Sequence, residues 1–427
     1  MKKNRLELSR RAFLKGAAAL AAAPYIVPAT ALGGEGRAAP SERIIMGGIG
    51  IGSRGSFDLK RLIEWDDVQF VAVSDPRQDN RERVKGVIDK KYDNQDCKTY
   101  IDFREMLARD DINAVLITTS DRWHSLASIY AFKAGKDVYC EKPCSMSIAQ
   151  GRAMADTARR YGRVYQAGTQ RRSEEAFVFV LQLARTGMLG KVHTITAHIV
   201  PGLSRHRWLP EEPLPPRDVF DWDLYLGPTP WRPFNKAFRG WGGHYDLHGG
   251  GITEWGSHTI DMAQWANDSE NTGPMEYEFP NNDTAEGMVC QYANGVKLVL
   301  KGGSVFPGSC GIRVEGSEGW AECSDGFDAT FKPLSLAGER QRIIAEYQAQ
   351  SGRPLDHWRD FLDSVKLRRQ AVAPAETAHR SVSACHVGTI CMVLRRNMKW
   401  DPAKEEFLGD EEANRMRWRP TRTPWRF

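Results

Sequence analysis

The stretch from Ile44 to Gly55 constrains the fold of this 427-residue chain more than any other. An apolar run breaks there into glycines spaced Gly50-x-Gly52-x-x-Gly55, the pattern of a strand that turns into a helix. In a dinucleotide-binding unit the first glycine makes the turn, the second admits the pyrophosphate, and the third lets the helix pack on the strand. The helix N-terminus then offers free N–H groups and a partial positive charge to the phosphates.

A second apolar run, Val68 to Val73, supports this interpretation because Asp75 follows it, twenty residues after Gly55. A carboxylate at that distance is expected to bind the hydroxyls of the adenosine ribose. Because a carboxylate repels a 2′-phosphate, Asp75 favours NAD, whereas the nearby Arg77 leaves NADP open. In this part of the chain the predicted cofactor contacts are Gly50, Ile51, Gly52, Ser53, Arg54, Gly55 and Asp75.

Residues 1–31 have the features of an export leader. Basic residues precede a short apolar run, Ala17 to Val27, and Ala29-Thr30-Ala31 is a small-x-small cleavage site. The stretch from Ser9 to Lys15 resembles the twin-arginine signal, which implies that the twin-arginine machinery exports the folded protein to the periplasm or another exported location. An uncleaved amphipathic helix is the alternative. Residues 32–42 are expected to be a linker.

The leader also carries the net charge of the chain. The whole sequence has a formal charge of +5, and the leader holds six basic residues against Glu7, so the remainder is close to neutral. This balance predicts no nucleic-acid partner, and the lack of a second long apolar stretch predicts no stable membrane insertion. The eight cysteines form no C-x-x-C pair, and we expect most of them to be small buried residues with no disulfide required.

From residue 43 to 167 strand and helix patterns alternate, which predicts a parallel sheet covered on both faces. One apolar strand, beginning at Ala114, runs into Thr119-Ser120, and another, beginning at Asp137, runs into Glu141-Lys142-Pro143. Ligands bind beyond the carboxyl ends of parallel strands, so these segments should meet at the cofactor. The further predicted cofactor contacts are Thr119, Ser120, His124, Glu141 and Lys142.

Four elements together resemble the Gfo/Idh/MocA family, which includes glucose-fructose oxidoreductase and inositol dehydrogenase. They are the glycine fingerprint, Asp121-Arg122-Trp123-His124, Glu141-Lys142-Pro143, and Gly-Gly-Gly-x-x-Glu-x-Gly-x-His-x-x-Asp from Gly249 to Asp261. The resemblance covers essentially the whole mature chain. It implies an NAD(P)-binding Rossmann domain over residues 43–167 and places Lys142 beside the nicotinamide and the substrate hydroxyl.

The second half of the chain predicts an α+β domain over residues 168–400, followed by a C-terminal arm over 401–427. The β-rich runs 288–292 and 296–300 flank Asn294-Gly295, a favoured hairpin turn, and 312–323 reads as another hairpin. We therefore predict a largely antiparallel open sheet with helices on one face, as in the family. In related enzymes a second subunit covers the other face, so we expect a homo-oligomer. The apolar spacing also predicts a helix over 357–367.

The segment 201–240 is rich in Pro, Trp and Arg and shows little periodicity, which is typical of a functional loop. Its aromatic and guanidinium groups suit a sugar-binding wall and suit a subunit interface equally well.

Glu254 and His258 lie four residues apart in a helix predicted after Gly249-Gly250-Gly251, so both side chains should leave the same helical face. A carboxylate one turn away would fix the tautomer of the histidine and stabilise its imidazolium. By resemblance His258 is the catalytic histidine, although the family usually carries aspartate where this chain has Glu254. We predict Lys142, His258 and Glu254 as catalytic residues, and the substrate contacts as Gln170, Arg172, His244 and Tyr245.

His244 and His248 also show an H-x-x-x-H spacing that a metal could use. The residues between them do not form the helical H-E-x-x-H motif, and no ligand cluster joins them at the right spacing. We therefore predict no metal.

The predicted reaction is hydride transfer between a secondary alcohol carbon of a sugar or cyclic polyol and C4 of a nicotinamide. His258 would take the hydroxyl proton, Lys142 would stabilise the alkoxide, and Glu254 would hold the imidazole. Lysine and histidine could exchange the first two roles, and the sequence leaves this open.

The export signal adds a constraint, because no large pool of free nucleotide is expected outside the cytoplasm. The cofactor should leave already bound and be regenerated in place, either by a second substrate, as in glucose-fructose oxidoreductase, or by the same substrate. The second route is that of the family's NAD-dependent glycosidases, which commonly depart from Glu-Lys-Pro at the lysine. The remaining alternative is a non-catalytic sugar-binding protein with a structural nucleotide.

Overall fold

A computed structural model of the chain describes residues 39–202, 208–240 and 242–427. The leader predicted over residues 1–31, and most of the linker after it, lie outside the described residues. Residues 44–427 belong to one unit of mutually contacting elements. In the part of the chain that is described, no helix combines the length and the apolar character that crossing a membrane requires.

The first half of this unit is built on a six-stranded sheet in the order β3-β2-β1-β4-β5-β6, and every neighbouring pair is parallel. The predicted parallel α/β architecture is confirmed. The elements are β1 (Ile44–Ile49), α1 (Ser53–Ile63), β2 (Val68–Ser74), α2 (Gln78–Tyr92), β3 (Lys98–Tyr100), α3 (Phe103–Leu107), β4 (Ala114–Ile117), α4 (Asp121–Lys133), β5 (Asp137–Cys140), α5 (Ile148–Tyr161) and β6 (Tyr165–Ala167).

Local signals in the sequence set the ends of α5. The Ser147 hydroxyl accepts a hydrogen bond from the backbone N–H of Gln150 and so satisfies one of the free donors of the first turn. Gly162 ends the helix in the left-handed conformation, with φ of 58°, which costs glycine little.

The second half is built on a nine-stranded sheet in the order β13-β12-β11-β7-β10-β9-β8-β14-β15. Only β7 and β10 pair in parallel among these described strands, so the predicted largely antiparallel sheet is confirmed. The strands are β7 (Val192–His198), β8 (Glu276–Glu278), β9 (Val289–Gln291), β10 (Lys297–Lys301), β11 (Ile312–Gly316), β12 (Trp320–Ser324), β13 (Phe327–Lys332), β14 (Met398–Asp401) and β15 (Glu406–Phe407).

Helices cover one face of this sheet. Three of them, α6 (Glu175–Arg185), α8 (Gly251–Ala266) and α11 (Ala375–Leu394), contact its strands. The other helices of this half are α7 (Trp222–Leu226), α9 (Arg340–Ser351), α10 (His357–Leu367) and α12 (Glu411–Arg415), and α12 contacts β15. The apolar side chains of α6 and α8 share one core with Ile195, Leu298 and Val314 of the sheet. The alternate residues Thr196, Val299 and Arg313 sit side by side and are only partly buried.

The second half also completes the cores of the first. On one side of the parallel sheet Phe361 and Leu362 of α10 join Leu59 and Leu62 of α1. On the other side Trp425 packs edge-on against Trp123, with ring centroids 4.8 Å apart. The sheet is therefore covered in part by residues that lie more than two hundred positions later in the chain.

The segment 208–240 is more ordered than its composition predicts. Trp222 is buried in a separate aromatic cluster with Phe220, Phe234 and Phe238, so it packs the segment. Trp208 and Trp231, in contrast, are 88% and 61% exposed. All eight cysteines are buried free thiols, which confirms their prediction as small buried residues.

Candidate active site

The glycine turn between β1 and α1 has the geometry that a dinucleotide requires. Gly50 has φ of +66°, and a Cβ there would lie 2.9 Å from the Cα of Thr119. A Cβ on Gly55 would lie 2.8 Å from the Cβ of Thr118, so this glycine permits close packing. A Cβ on Gly52 would meet no atom within 4 Å, and Gly52 caps α1 without a side-chain hydrogen bond. The turn thus leaves open space beside unsatisfied N–H groups, which fits a pyrophosphate.

A cleft of about 310 Å³ extends from this turn along the carboxyl ends of the strands. Asp75 lies at one end, where its Oδ1 accepts from the backbone N–H of Arg77 (2.9 Å) and its Oδ2 accepts from Nδ2 of Asn80 (2.8 Å). Burial raises the pKa of Asp75. The predicted cofactor residues that line the cleft are Gly50, Gly52, Ser53, Arg54, Asp75, Thr119 and Ser120. These residues fit NAD.

Glu141 is held by three donors at the end of β5. Its Oε1 accepts from Nε of Arg54 (3.2 Å) and Nε2 of Gln170 (2.8 Å), and its Oε2 accepts from the backbone N–H of Lys142 (3.2 Å). Arg54 also pairs with the buried Asp58 at 3.2 Å. Burial, and then the neighbouring Glu141 carboxylate, raises the pKa of Asp58. Glu141 therefore connects Arg54 of the phosphate turn to the backbone of Lys142.

Five of the predicted cofactor contacts do not line the cleft. Gly55 and Glu141 lie next to Arg54, which does, and Lys142 follows Glu141, whereas Ile51 and His124 are buried beneath the cleft. Ile51 is fully buried in the core. The ring nitrogens of the buried His124 lie 2.8 Å from the carbonyl oxygen of Pro143 and 3.0 Å from that of Thr119. His124 therefore ties the segment after Lys142 to the segment after β4, and its predicted direct contact with the cofactor is corrected to a supporting role.

Lys142, Glu254 and His248 form a hydrogen-bonded chain next to the cleft. Nζ of Lys142 donates to Oε1 of Glu254 and to the carbonyl oxygen of Glu254, both at 2.8 Å. Nε2 of His248 lies 3.0 Å from Oε2 of Glu254. Because Nδ1 of His248 accepts from the backbone N–H of Gly250, its Nε2 carries the proton donated to Glu254. The Lys142 ammonium also lies 5.4 Å from the centre of the Trp255 ring.

The charges in this chain stabilise one another. The hydrogen bond from His248, and then the Lys142 ammonium, hold the pKa of Glu254 down to about 2 against burial. Burial opposes the charge on His248, but Glu254 and then Asp121 raise the net pKa of His248. Oδ2 of Asp121 lies 3.8 Å from Nε2 of His248 and accepts from the backbone N–H of Gly249. The carboxylate of Glu254 is thus fully ionised at neutral pH.

The predicted contact between Glu254 and His258 is wrong. The Glu254 carboxylate accepts from Nζ of Lys142 and from Nε2 of His248, and these two bonds occupy both of its oxygens. Nδ1 of His258 is buried and has no hydrogen-bond partner among the described residues. Burial, and then the positive charges of Arg171 and Lys142, hold the pKa of His258 well below its usual range. His258 is therefore neutral at pH 7.

The predicted substrate contacts are not brought together. Gln170 binds Glu141, as described above, and the Tyr139 hydroxyl. The buried guanidinium of Arg172 is committed to Asp261 (2.6 and 2.9 Å) and Glu270 (2.7 Å). It ties the short 3-10 turn Gln170–Ser173 to α8 and to the residue Glu270 beyond it, so its predicted substrate contact is corrected. Gln170 and Arg172 both lie in the core, where charged groups need such partners.

The other two predicted substrate contacts belong to a different part of the molecule. His244 is buried with its ring centroid 5.0 Å from that of Phe238. Tyr245 lines a second cavity, and its ring lies 4.3 Å from the Arg419 guanidinium. Neither residue lines the cofactor cleft.

Sequence reasoning missed two residues near the predicted catalytic groups. The sequence suggested substrate contact for the loop that contains His248, in preference to a metal, and did not suggest its bond to Glu254. The described residues contain no group of three metal-binding side chains. Arg171, which lowers the pKa of His258, makes a bidentate pair with Asp325 at 2.9 and 2.7 Å. The one sequence signal for His248 was its position directly before the three glycines that begin α8.

Comparison with family models matches both halves of the chain. The model described as the oxidoreductase family, NAD-binding Rossmann fold, matches residues 44–169, and the model of the Gfo/Idh/MocA C-terminal alpha/beta domain matches residues 177–427. A twin-arginine translocation signal model matches residues 7–24.

Several characterised proteins are similar to parts of the chain. The rhizopine catabolism protein MocA of Rhizobium meliloti is 25% identical over 66% of this chain and 78% of its own length. Myo-inositol 2-dehydrogenase of Thermotoga maritima is 29% identical over 35% of this chain, and alpha-N-acetylgalactosaminidase of Shewanella oneidensis is 28% identical over 45%. These two alignments span 43% and 46% of the relatives' own lengths.

Solved structures share the fold across most of the chain. A probable dehydrogenase from Thermotoga maritima superposes with a TM-score of 0.57 at 19% identity and covers 85% of this chain and 100% of its own. An aldose-aldose oxidoreductase from Caulobacter crescentus gives a TM-score of 0.58 at 15% identity and covers 84% of this chain and 99% of its own.

Proposed function

Because this chain belongs to the Gfo/Idh/MocA family of NAD-binding oxidoreductases, we propose that it transfers a hydride between a secondary hydroxyl of a sugar or cyclic polyol and a tightly bound nicotinamide. The observation that carries the proposal is the Lys142 ammonium, fixed by two hydrogen bonds to Glu254, together with a buried, neutral His258 whose pKa the Lys142 charge helps to lower. One group stabilises negative charge on oxygen, and the other accepts a proton.

NAD, when bound, accepts or returns the hydride. The chain's own residues handle the proton and the charge. In the oxidative direction Nδ1 of His258 accepts the hydroxyl proton, and the Lys142 ammonium stabilises the developing alkoxide. Glu254 holds the ammonium in place, and His248 in turn holds the Glu254 carboxylate. This assignment makes His258 the base, and its neutral state supports it.

We also propose that the protein is exported with its cofactor bound and regenerates it in place. The twin-arginine signal over residues 7–24 supports this, because that route carries folded proteins. The proposed division is a Rossmann domain over 43–167, a substrate domain over 168–400 and an arm over 401–427. The partly buried row Thr196, Val299 and Arg313 on the uncovered sheet face supports a homo-oligomer.

The test begins with the mature protein from the exported fraction. Denaturation should release close to one NAD(H) or NADP(H) per chain. The holoprotein is then mixed with myo-inositol, glucose or fructose, and the absorbance of reduced nicotinamide is followed. At least one compound should reduce the bound cofactor, and a second sugar should reoxidise it.

Two variants test the roles proposed for Lys142 and His258. Lys142→Met and His258→Gln should retain nucleotide but lose at least about a hundredfold in the rate of cofactor reduction, the usual contribution of acid–base catalysis. The matched control is His193→Gln, because His193 is an exposed histidine of β7. A protein that neither carries nor binds nucleotide, or a His258→Gln variant with the full rate, would overturn the proposal.

A second candidate is an NAD-dependent glycosidase that oxidises a sugar, eliminates the aglycone, adds water and returns the hydride. The alignment with the Shewanella oneidensis alpha-N-acetylgalactosaminidase favours it. Release of p-nitrophenol from p-nitrophenyl glycosides by the holoprotein, without net cofactor reduction, distinguishes it from the oxidoreductase. The intact Lys142 favours the oxidoreductase.

A further inference from the structure

A second cavity, of about 180 Å³, lies apart from the cofactor cleft and shares no lining residue with it. Its walls come from α4, the start of α5, the segments 228–230 and 245–246, and the tail segment 415–421. Most of its lining is apolar, and the apolar side chains are Met146, Pro228, Pro230, Met416, Trp418 and Pro420. The tail thus closes a mainly apolar space against the first half of the chain.

The charged side chains of this cavity are mostly cationic. Three arginines, Arg122, Arg415 and Arg419, line it together with a single carboxylate, Asp246. Asp246 pairs with Arg232, so its charge is already balanced. Among the described residues neither Arg122 nor Arg419 has a carboxylate within ion-pairing distance.

Arg122 is the most unusual of the three. It is only 2% exposed, its Nε and Nη2 donate to the carbonyl oxygen of Tyr225 at 3.0 and 2.7 Å, and its buried Nη1 has no partner in the described structure. Arg419 donates only to carbonyl oxygens, those of Tyr245 (2.6 Å) and His248 (3.3 Å). Burial lowers the pKa of both guanidinium groups.

A buried cation without a counter-ion is costly, because desolvation is not repaid by an opposite charge. The buried Arg172 of the same chain shows the usual solution, with two carboxylates bound. The unpaired Nη1 of Arg122 beside a cavity is therefore a place where an anion from outside the chain would be stabilised. Apolar walls disfavour a strongly hydrated dianion and favour a singly charged group with an apolar body.

We propose that this cavity binds a small organic carboxylate whose charged end meets the Arg122 guanidinium and whose apolar body lies against Trp418 and the prolines. Guanidinium groups match carboxylates in geometry and in weak hydration. The site is separate from the proposed catalytic groups. Arg419 connects the two regions, because it donates to the carbonyl oxygen of His248.

The test is calorimetric titration of the nucleotide-loaded mature protein with benzoate, the chosen probe. We expect saturable binding at one site per chain. Benzyl alcohol has the same apolar body without the charge, and inorganic phosphate has charge without an apolar body, so both should bind at least about tenfold more weakly. Lys142→Met should bind benzoate normally, which separates this site from the catalytic groups.

Arg122→Met should weaken benzoate at least about tenfold, and Arg122→Lys should recover part of the loss. If the Arg122 variants do not fold, Thr421→Trp tests the same site, because Thr421 is an exposed lining residue and a larger side chain there obstructs the cavity. Equal binding of benzoate and benzyl alcohol, tighter binding of phosphate, or unchanged binding by Thr421→Trp would overturn the proposal. Loss of catalysis by Lys142→Met with benzoate binding intact would leave it standing.

Discussion

Replacing Glu254 by glutamine tests the chain of charges that holds Lys142. The variant keeps the shape of the side chain and removes its charge. Lowering the Glu254 pKa from 4.5 to about 2 corresponds to about 3 kcal/mol at about 1.36 kcal/mol per pKa unit. The Glu254 side chain is 34% exposed, so solvent screening reduces the expected contribution to about 1–2 kcal/mol.

The pH dependence of this loss follows from two pKa shifts of opposite sign. The pKa of Glu254 is lowered, so its contribution to stability is present above 4.5 and is lost as pH falls towards about 2. The pKa of His248 is raised, so its contribution is present below 6.5 and is lost as pH rises through the folded value. The stability difference between wild type and Glu254→Gln should therefore be largest between pH 4.5 and 6.5.

Equilibrium urea unfolding of the mature protein, repeated across this pH range, measures the difference. Glu286→Gln is the matched control, because Glu286 is exposed, and its substitution should change the unfolding free energy by less than about 0.5 kcal/mol. A difference for Glu254→Gln that stays constant from pH 4 to pH 8 would refute the reasoning. The variant should also reduce the bound cofactor more slowly, because Lys142 keeps its bond to the carbonyl oxygen of residue 254 but loses its carboxylate partner.

Three further predictions use the same protein. Gly50→Ala places a side chain on a residue with φ of +66° and against Thr119, so both the thermal stability and the amount of bound nucleotide should fall. Gly52→Ala should keep its thermal stability and lose only the nucleotide, which is measured after denaturation. Trp425→Ala should lower the unfolding free energy by about 3–5 kcal/mol in denaturant titrations, whereas the 63% exposed Trp418 should tolerate the same change. No thiol should react with a maleimide in the native protein, and all eight should react in denaturant; rapid native labelling would contradict their burial.

Structural features that depend on a few neighbouring residues could be predicted from the sequence. The helix predicted over residues 357–367 runs from His357 to Leu367, because its apolar stripe is local and the Asp356 side chain caps it. The same reason made three other features predictable, namely the glycine turn, the Asn294-Gly295 hairpin and the helix cap at Ser147. Each depends on backbone conformation or on periodic burial within one element.

Partners that are distant in sequence could not be predicted this way. Glu254 has His258 four residues away, yet it binds Lys142, which lies 112 residues earlier. Arg172 meets Asp261 across 89 residues, so the sequence offered no means to distinguish a buried clamp from a substrate ligand. Spacing on a helix shows which side chains share a face, and only packing decides which of several charged groups reaches that face.

The packing of Trp425 and α10 on the parallel sheet has a consequence for the order of folding. The nucleotide-binding half is synthesised first, but one of its faces gains Phe361 and Leu362, and the other gains Trp425, only when the ribosome has nearly reached the end of the chain. A nascent or truncated chain therefore exposes apolar surface that chaperones recognise. A twin-arginine signal model matches this chain, and a route that carries folded cargo would require the last residues to be in place before export.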